Sequence, residues 1–235
     1  MYILIPARLE SQRFPQKVLA KAFDKPLIQW VYEKALLCKF AEKPIIATDS
    51  QKVFDVAKSF GGESIITSSE HKSGTARIAE AIKKSPNISD NDVIINWQGD
   101  EPLVSPQDIF SLVQSFEKND SLNMATLIFP IFEEQDYHNP NVVKVVADKN
   151  MRACYFSRSP IPYSKTFVSG QFFKHIGIYA YRADFLQKYV QFSQTNLERA
   201  ENLEQLRAIY MGETIQLVIA KNSQIGIDTA EDFEN

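Results

Sequence analysis

The chain has 235 residues, of which 44% are apolar, so it can bury one good core, and length alone does not demand two domains. A net charge of −3 argues against nucleic acid or an anionic membrane as the main partner. Cys38 and Cys154 have no metal-ligand spacing and make no disulfide framework. No apolar run approaches membrane-spanning length, and Met1 leads at once into a strand-like segment with no room for a leader, so a cytoplasmic globular protein is expected.

The first predicted strand is Ile3-Leu4-Ile5, which runs through Pro6 and Ala7 into a loop carrying Arg8, Arg13 and Lys17. Pro26 then opens a helix over 27–37. Residues 43–48 read as a second strand, and 50–60 as a helix with Val53, Phe54, Ala57 and Phe60 on one face, stopped by Gly61-Gly62. A short strand over 63–66, a helix over 75–84, a strand over 93–96 and a helix over 106–118 continue the alternation. Repeated βα units of this size imply an α/β fold, a mainly parallel sheet covered by helices.

The rhythm changes after Asn123. Residues 124–132, 142–146, 153–156 and 174–181 are strand-like with no long helical pattern between them. They predict an antiparallel-rich excursion, a smaller lobe at about 124–182 within one domain of 1–235. The loop 159–170, rich in proline and hydroxyl residues, is expected to be its most mobile part. Helices over 186–190 and 203–210 and a late strand over 214–220 complete the pattern.

Two places suggest chemistry. The loop with Arg8, Arg13 and Lys17 follows the carboxyl end of the first strand, where open α/β sheets bind ligands, and three cations there suit a polyphosphate. The strand 93–96 ends in Trp97-Gln98-Gly99-Asp100-Glu101-Pro102, and Asp228 ends another short apolar stretch. Hard carboxylate oxygens at separate strand ends are what Mg²⁺ shared with a substrate phosphate requires, so Asp100 and Asp228 are the candidate ligands of Mg²⁺. Taken singly, each of these residues is more simply a surface cation or a turn aspartate; their combination favours metal-assisted phosphoryl chemistry. Asp49, before the second helix, reads equally well as an N-cap. His71 and His138 read as surface residues. No G-x-G-x-x-G follows the first strand and no G-x-x-x-x-G-K-[ST] is present, which removes the dehydrogenase and P-loop readings.

The segments IPARLESQRFPQKVL, SGTARIAEAI, NWQGDEPLV, YFSRSPIP, FKHIGIYAY, LEQLR and IGIDTAEDFE, colinear from Ile3 to Glu234, resemble the 3-deoxy-manno-octulosonate (Kdo) cytidylyltransferase family. The resemblance implies a Rossmann-like nucleotidyltransferase fold. It also implies a Mg²⁺-dependent reaction in which CTP and Kdo give CMP-Kdo and pyrophosphate for lipopolysaccharide biosynthesis, and a homodimer. It places Arg8, Arg13 and Lys17 on the triphosphate, Ser73, Gly74, Arg77 and Gln98 on the nucleotide, and Asp100 and Asp228 on Mg²⁺. Lys17, Arg8, Asp100 and Asp228 would be the catalytic set. Arg158, His175, Tyr179, Glu204 and Gln205 match sugar-binding positions, with the Arg158 fork expected to meet the sugar carboxylate.

A catalytically dead homologue would be expected to lack Lys17, Asp100 or Asp228, and all three are present. The nearer rival is the same chemistry on another acid sugar, such as 8-amino-Kdo or a sialic acid. One departure from the family pattern concerns Gln16, where a glycine is usual: a side chain there is strained if the backbone keeps φ > 0.

Overall fold

A computed structural model describes all residues except 11–13, 224–225, 228 and 235. In chain order the elements are β1 (Tyr2–Ala7), β2 (Lys21–Ala22), β3 (Lys25–Pro26), α1 (Leu27–Ala35), β4 (Ile45–Thr48), α2 (Gln51–Ser59), β5 (Glu63–Ile66), α3 (Gly74–Lys83), β6 (Val93–Asn96) and α4 (Pro106–Glu117). They continue with β7 (Met124–Ile131), α5 (Glu134–His138), β8 (Lys144–Ala147), β9 (Ala153–Ser157), β10 (Phe172–Arg182), α6 (Ala183–Gln191), α7 (Asn196–Glu201), α8 (Leu206–Tyr210), β11 (Ile215–Ile219) and α9 (Ala230–Glu234). The chain forms two compact units, residues 1–110, 181–190 and 224–235 in the first and 111–180 and 191–223 in the second. The second unit therefore begins before the lobe expected from sequence and also takes in 191–223.

In the first unit β1 pairs in parallel with β4 on one side and β6 on the other, and β4 pairs in parallel with β5. Strand β1 is central and fully buried from Ile3 to Ala7. A strand covered on both faces reads as an unbroken apolar run, as Ile3-Leu4-Ile5 and Val93-Ile94-Ile95 do. Ser50 caps α2 by accepting from the Val53 N–H, and Ser73 caps α3 by accepting from the Ala76 N–H, each satisfying a donor the helix leaves open. Asp49 is thus not the N-cap of α2. The hairpin β2–β3, a single helical turn over Lys17–Leu19 and the helix α9 carry no long periodic pattern and were not predicted.

In the second unit β7 pairs in parallel with β11 and neighbours β10, β10 pairs antiparallel with β8, and β8 pairs antiparallel with β9. The antiparallel-rich excursion is present as expected. The loop 159–170 has no regular structure, yet the Tyr137 hydroxyl donates to the Pro162 carbonyl at 2.6 Å, and the Phe167 ring packs on Tyr137 and Phe172. The Gly170 N–H also donates to the Ile131 carbonyl. The loop is tied down at several points, contrary to its expected mobility. Helix α7, missed because it is short, starts with a capping box between Thr195 and Glu198.

Candidate functional site

In the first unit the sequence Trp97 to Glu101 makes a tight turn at the carboxyl end of β6. The Glu101 N–H donates to the Gln98 carbonyl, and the buried Trp97 indole N–H donates to the Glu101 carbonyl at 2.9 Å. Gly99 suits the close spacing here: a Cβ would lie 3.0 Å from the Pro6 carbonyl oxygen, so the turn sits directly against the end of β1. A Cβ on Gly74 would likewise meet Pro6 and the Gln98 side-chain oxygen, at 3.1 and 3.3 Å. The start of α3, the turn 98–101 and the end of β1 therefore converge. Gln98 donates to Asn96 Oδ1 at 3.1 Å, and Asn96, 1% exposed, keeps an Nδ2 without a partner among the described residues.

The charged pair of the site is Lys17 with Asp100. Lys17 Nζ lies 2.6 Å from Asp100 Oδ2 and 2.6 Å from the Ile227 carbonyl oxygen, on a side chain that is almost wholly buried. The Ile227 N–H in turn donates to the Asp100 carbonyl, and Gly226 packs so close to the Glu101 carboxylate that a Cβ would fall 2.7 Å from it. Phe233 of α9 stacks edge-on against Phe14 of the loop. The C-terminal segment is thus clasped to both the turn and the basic loop. Lys17 is not an open phosphate grip in this state; its ammonium neutralises Asp100 and ties Ile227 to it. Arg8 is the exposed cation at the end of β1 and bonds to no other described residue. Arg13 and Asp228 lie outside the described residues.

Gln16 has φ 55 and ψ 26, the left-handed conformation that the family's glycine would take without strain. Its side chain accepts from Lys52 Nζ at 2.8 Å.

Arg77 is corrected by the structure. Its side chain is fully buried and donates to Asp49 Oδ2 at 2.6 Å, to Thr67 Oγ1 at 2.7 Å and to the Ser68 carbonyl at 3.3 Å. A guanidinium so engaged has no surface to offer a nucleotide. It locks the ends of β4 and β5 beneath the loop that leads to Ser73 and Gly74. Glu80, one turn further along α3, accepts from the Ser68 N–H at 2.9 Å, from Lys84 Nζ and from His71. Burial opposes ionisation of Glu80, but these three donors together outweigh it and hold its pKa down at about 2. His71 is therefore a partnered residue and not a bystander.

The second unit gathers the remaining predicted residues. His175 and Tyr179 of β10 stack with ring centroids 5.2 Å apart. Burial pushes the His175 imidazole down to about 3, so the ring is neutral at working pH. Burial and the neighbouring Glu204 carboxylate hold the Tyr179 phenol protonated, well above its ordinary range. Gln205, 4% exposed, has an Nε2 without a partner among the described residues. Glu204 and Gln205 lie between α7 and α8, which are joined by the fork from Arg207 to Glu198, with contacts of 3.0 and 2.5 Å.

Arg158 is anchored within the same unit. Its Nε donates to the Glu201 carbonyl at 2.8 Å and its Nη1 to the Pro140 carbonyl at 3.0 Å, while its own N–H donates to the Glu201 carboxylate. The fork is anchored on backbone carbonyls through Nε and Nη1, with its outer nitrogens at the surface. Beneath it the fully buried Lys144, which sequence reasoning passed over, donates to the carbonyls of Asn139, Val142 and Arg158. A lysine inside an apolar strand pattern was the available signal.

Among the described residues no three His, Cys, Asp or Glu side chains gather as a metal cluster. Mg²⁺ bound with a substrate phosphate needs only one or two carboxylates, its other ligands being phosphate and water oxygens. The Asp100 carboxylate and the Ile227 carbonyl already converge on a cation, the Lys17 ammonium, so the donor set at this turn fits such an ion.

A parallel α/β unit with a cationic loop after its first strand and a carboxylate turn against that loop defines a nucleotidyltransferase. Residues 2–215 match the cytidylyltransferase family. A 3-deoxy-manno-octulosonate cytidylyltransferase of Haemophilus influenzae (strain ATCC 51907 / DSM 11121 / KW20 / Rd) is 47% identical, over 99% of this chain and 95% of that protein. One of Acaryochloris marina (strain MBIC 11017) is 43% identical, over 98% and 93%. The chain belongs to the 3-deoxy-manno-octulosonate cytidylyltransferase family and is a nucleotidyltransferase enzyme. Among solved structures, a CMP:2-keto-3-deoxy-manno-octonic acid synthetase complexed with CTP superposes with a TM-score of 0.92 at 40% identity, covering 99% of this chain and 95% of that one. A cytidylyltransferase from Leptospira borgpetersenii serovar Hardjo-bovis (strain JB197), 21% identical with a TM-score of 0.65 over 99% and 83% of the two chains, shares the fold. No helix among the described residues is long and apolar enough to cross a membrane.

Proposed function

We propose that the enzyme transfers CMP from CTP to the anomeric 2-hydroxyl of Kdo, releasing pyrophosphate. The hydroxyl gives up its proton to solvent as its oxygen forms a bond to the α-phosphorus, the bond from that phosphorus to the bridging oxygen breaks, and pyrophosphate leaves with the electron pair. The observation that carries this reading is the Lys17–Asp100 pair at the junction of the β1 loop and the turn 98–101, in a chain so close to a synthetase that binds CTP. Mg²⁺, held by Asp100 and by Asp228 as the family pattern expects, would supply charge neutralisation and Lewis acidity at the phosphates.

The chain's own residues take the remaining tasks. Arg8 and Lys17 stabilise charge that grows on the departing pyrophosphate, with Arg13 expected beside them. Lys17 has to release part of its hold on Asp100 and Ile227 to do so. Gln98, the Ser73 hydroxyl and the backbone at Gly74, where a Cβ would crowd Pro6, hold the nucleotide. His175, Tyr179, Glu204 and Gln205 bind the acid sugar, and the orphaned Gln205 Nε2 supports that assignment because a buried donor needs an acceptor. Arg77 and Arg158 support these two sets of residues from behind.

A coupled pyrophosphate-release assay across CTP, UTP, ATP and GTP, each with Kdo, 8-amino-Kdo and a sialic acid, tests the reading. Turnover selective for CTP with Kdo is expected. Equal or faster turnover with another acid sugar would transfer the acceptor assignment to that sugar, and no CTP-dependent release with any of them would overturn it.

A further inference from the structure

The side chain of Thr126, on β7, is fully buried and has three neighbours of which only one can be its acceptor at a time. Its Oγ1 lies 2.7 Å from the Ile178 carbonyl oxygen, 3.2 Å from the Ile176 carbonyl oxygen and 3.1 Å from His175 Nε2. A hydroxyl has one proton and two lone pairs, whereas a carbonyl can only accept. Donation to Ile178, the shortest contact, leaves a lone pair facing His175. The reverse arrangement, with the proton given to Nε2, would set the hydroxyl lone pairs against two buried carbonyl oxygens at once, the kind of mismatch that buried polar groups avoid. The ring is neutral, so one of its nitrogens carries a proton and the other does not.

We propose that Thr126 is a positioning residue that locks His175 in the Nε2–H tautomer, so that Nδ1 presents a lone pair as hydrogen-bond acceptor to a hydroxyl of the acid sugar. Nδ1 has no partner among the described residues, and His175 is half-buried, which leaves that edge of the ring for a ligand. The Phe156 ring, edge-on at 5.3 Å, and Tyr179 clamp the imidazole plane, which keeps the open nitrogen in a fixed direction. A neutral acceptor repels a carboxylate and welcomes a hydroxyl, so His175 reads the polyol part of the substrate and not its acid group. This assignment rests on the acid-sugar reading above for the ligand, but not for the tautomer.

The test separates the two. Long-range ¹H–¹⁵N correlation spectra of the full chain labelled with ¹⁵N-histidine, with His175 assigned by its loss in His175→Gln, should show a protonated Nε2 and an unprotonated Nδ1. Thr126→Val, close in shape but without the hydroxyl, should lose that single-tautomer pattern, and Thr126→Ser should keep it. In steady-state kinetics Thr126→Val should raise the KM for the acid sugar about fivefold, the size of one neutral hydrogen bond, with the KM for CTP unchanged and Thr126→Ser close to the parent. A protonated Nδ1 in the parent protein, or a tautomer indifferent to Thr126→Val, overturns the proposal. A tautomer that is lost in Thr126→Val without any change in the KM for the acid sugar overturns the sugar assignment of His175 and leaves the lock by Thr126 standing.

Discussion

Lys17 and Asp100, 83 residues apart in sequence, form an ion pair at 2.6 Å in which the lysine is nearly buried and the carboxylate remains about a third exposed. The ammonium shares itself with the Ile227 carbonyl, so one cation holds the basic loop, the turn after β6 and the C-terminal segment together. The exposed side of Asp100 is the side a metal and a phosphate could reach.

On the proposed role of Asp100 in holding Mg²⁺, Asp100→Asn, which keeps the shape and removes the negative charge, should lower turnover by about a hundredfold or more. Lys17→Ala should weaken productive CTP binding and slow turnover while CMP affinity changes little, since CMP lacks the β- and γ-phosphates. The two residues act as one unit, so the double variant should be far less impaired than the product of the single effects. Steady-state kinetics and calorimetric titration of CMP and CTP check this; an equal loss of CMP and CTP affinity in Lys17→Ala would move the lysine away from the phosphates.

The buried pair of Arg77 and Asp49 should appear in stability. Removing either partner leaves a charge unmatched inside the unit, and such losses cost about 3–5 kcal/mol. Asp49→Asn and Arg77→Gln should each lower the urea midpoint strongly, and the double variant should be more stable than the sum of the single losses implies, with a coupling of about 0.5–3 kcal/mol. Additive losses would show that the pair at 2.6 Å contributes nothing beyond its separate residues.

Glu80 carries a prediction in pH. Its folded pKa, about 2, lies below its unfolded value of 4.5, so its contribution is fully present above that value and is lost as the pH falls through the folded pKa. Discounted for its partial exposure, the effect is on the order of 2 kcal/mol. Chemical denaturation at pH 5 and pH 3 should show a smaller drop for Glu80→Gln than for the parent protein. An identical drop in both would remove Glu80 from the acid response.

Gln16 is the place where a substitution should help. Its left-handed backbone costs a residue with a Cβ about 1 kcal/mol that glycine avoids, and the contact with Lys52 that would be lost is exposed. Gln16→Gly should raise the melting temperature by about 2–4 °C, read by calorimetry. A lower melting temperature would mean that the Lys52 contact outweighs the strain.

The sequence by itself determined the βα alternation of the first unit, because strands covered on both faces and helices with one apolar stripe leave periodicities of their own. Strands 63–66 and 93–96 were legible to the residue, and the turn carrying Gln98 and Asp100 was legible at the end of the second, whereas Ser73 and Gly74 entered through the family resemblance alone. Periodicity is silent about short elements: α5, α7 and the hairpin β2–β3 are fixed by caps, turns and neighbours. It is equally silent about which polar groups meet. An arginine in a motif looks the same whether it faces solvent or an aspartate 28 residues away, so only the tertiary structure could turn Arg77 inward to Asp49 and commit Arg158 to the carbonyls of Glu201 and Pro140. The same holds for Lys144, whose charge is tolerated in a strand because three carbonyls converge on it, and for Thr126, whose single proton chooses the tautomer of His175. Local pattern records the burial of each face; the pairing of donors with acceptors is a long-range property, decided when the chain closes around them.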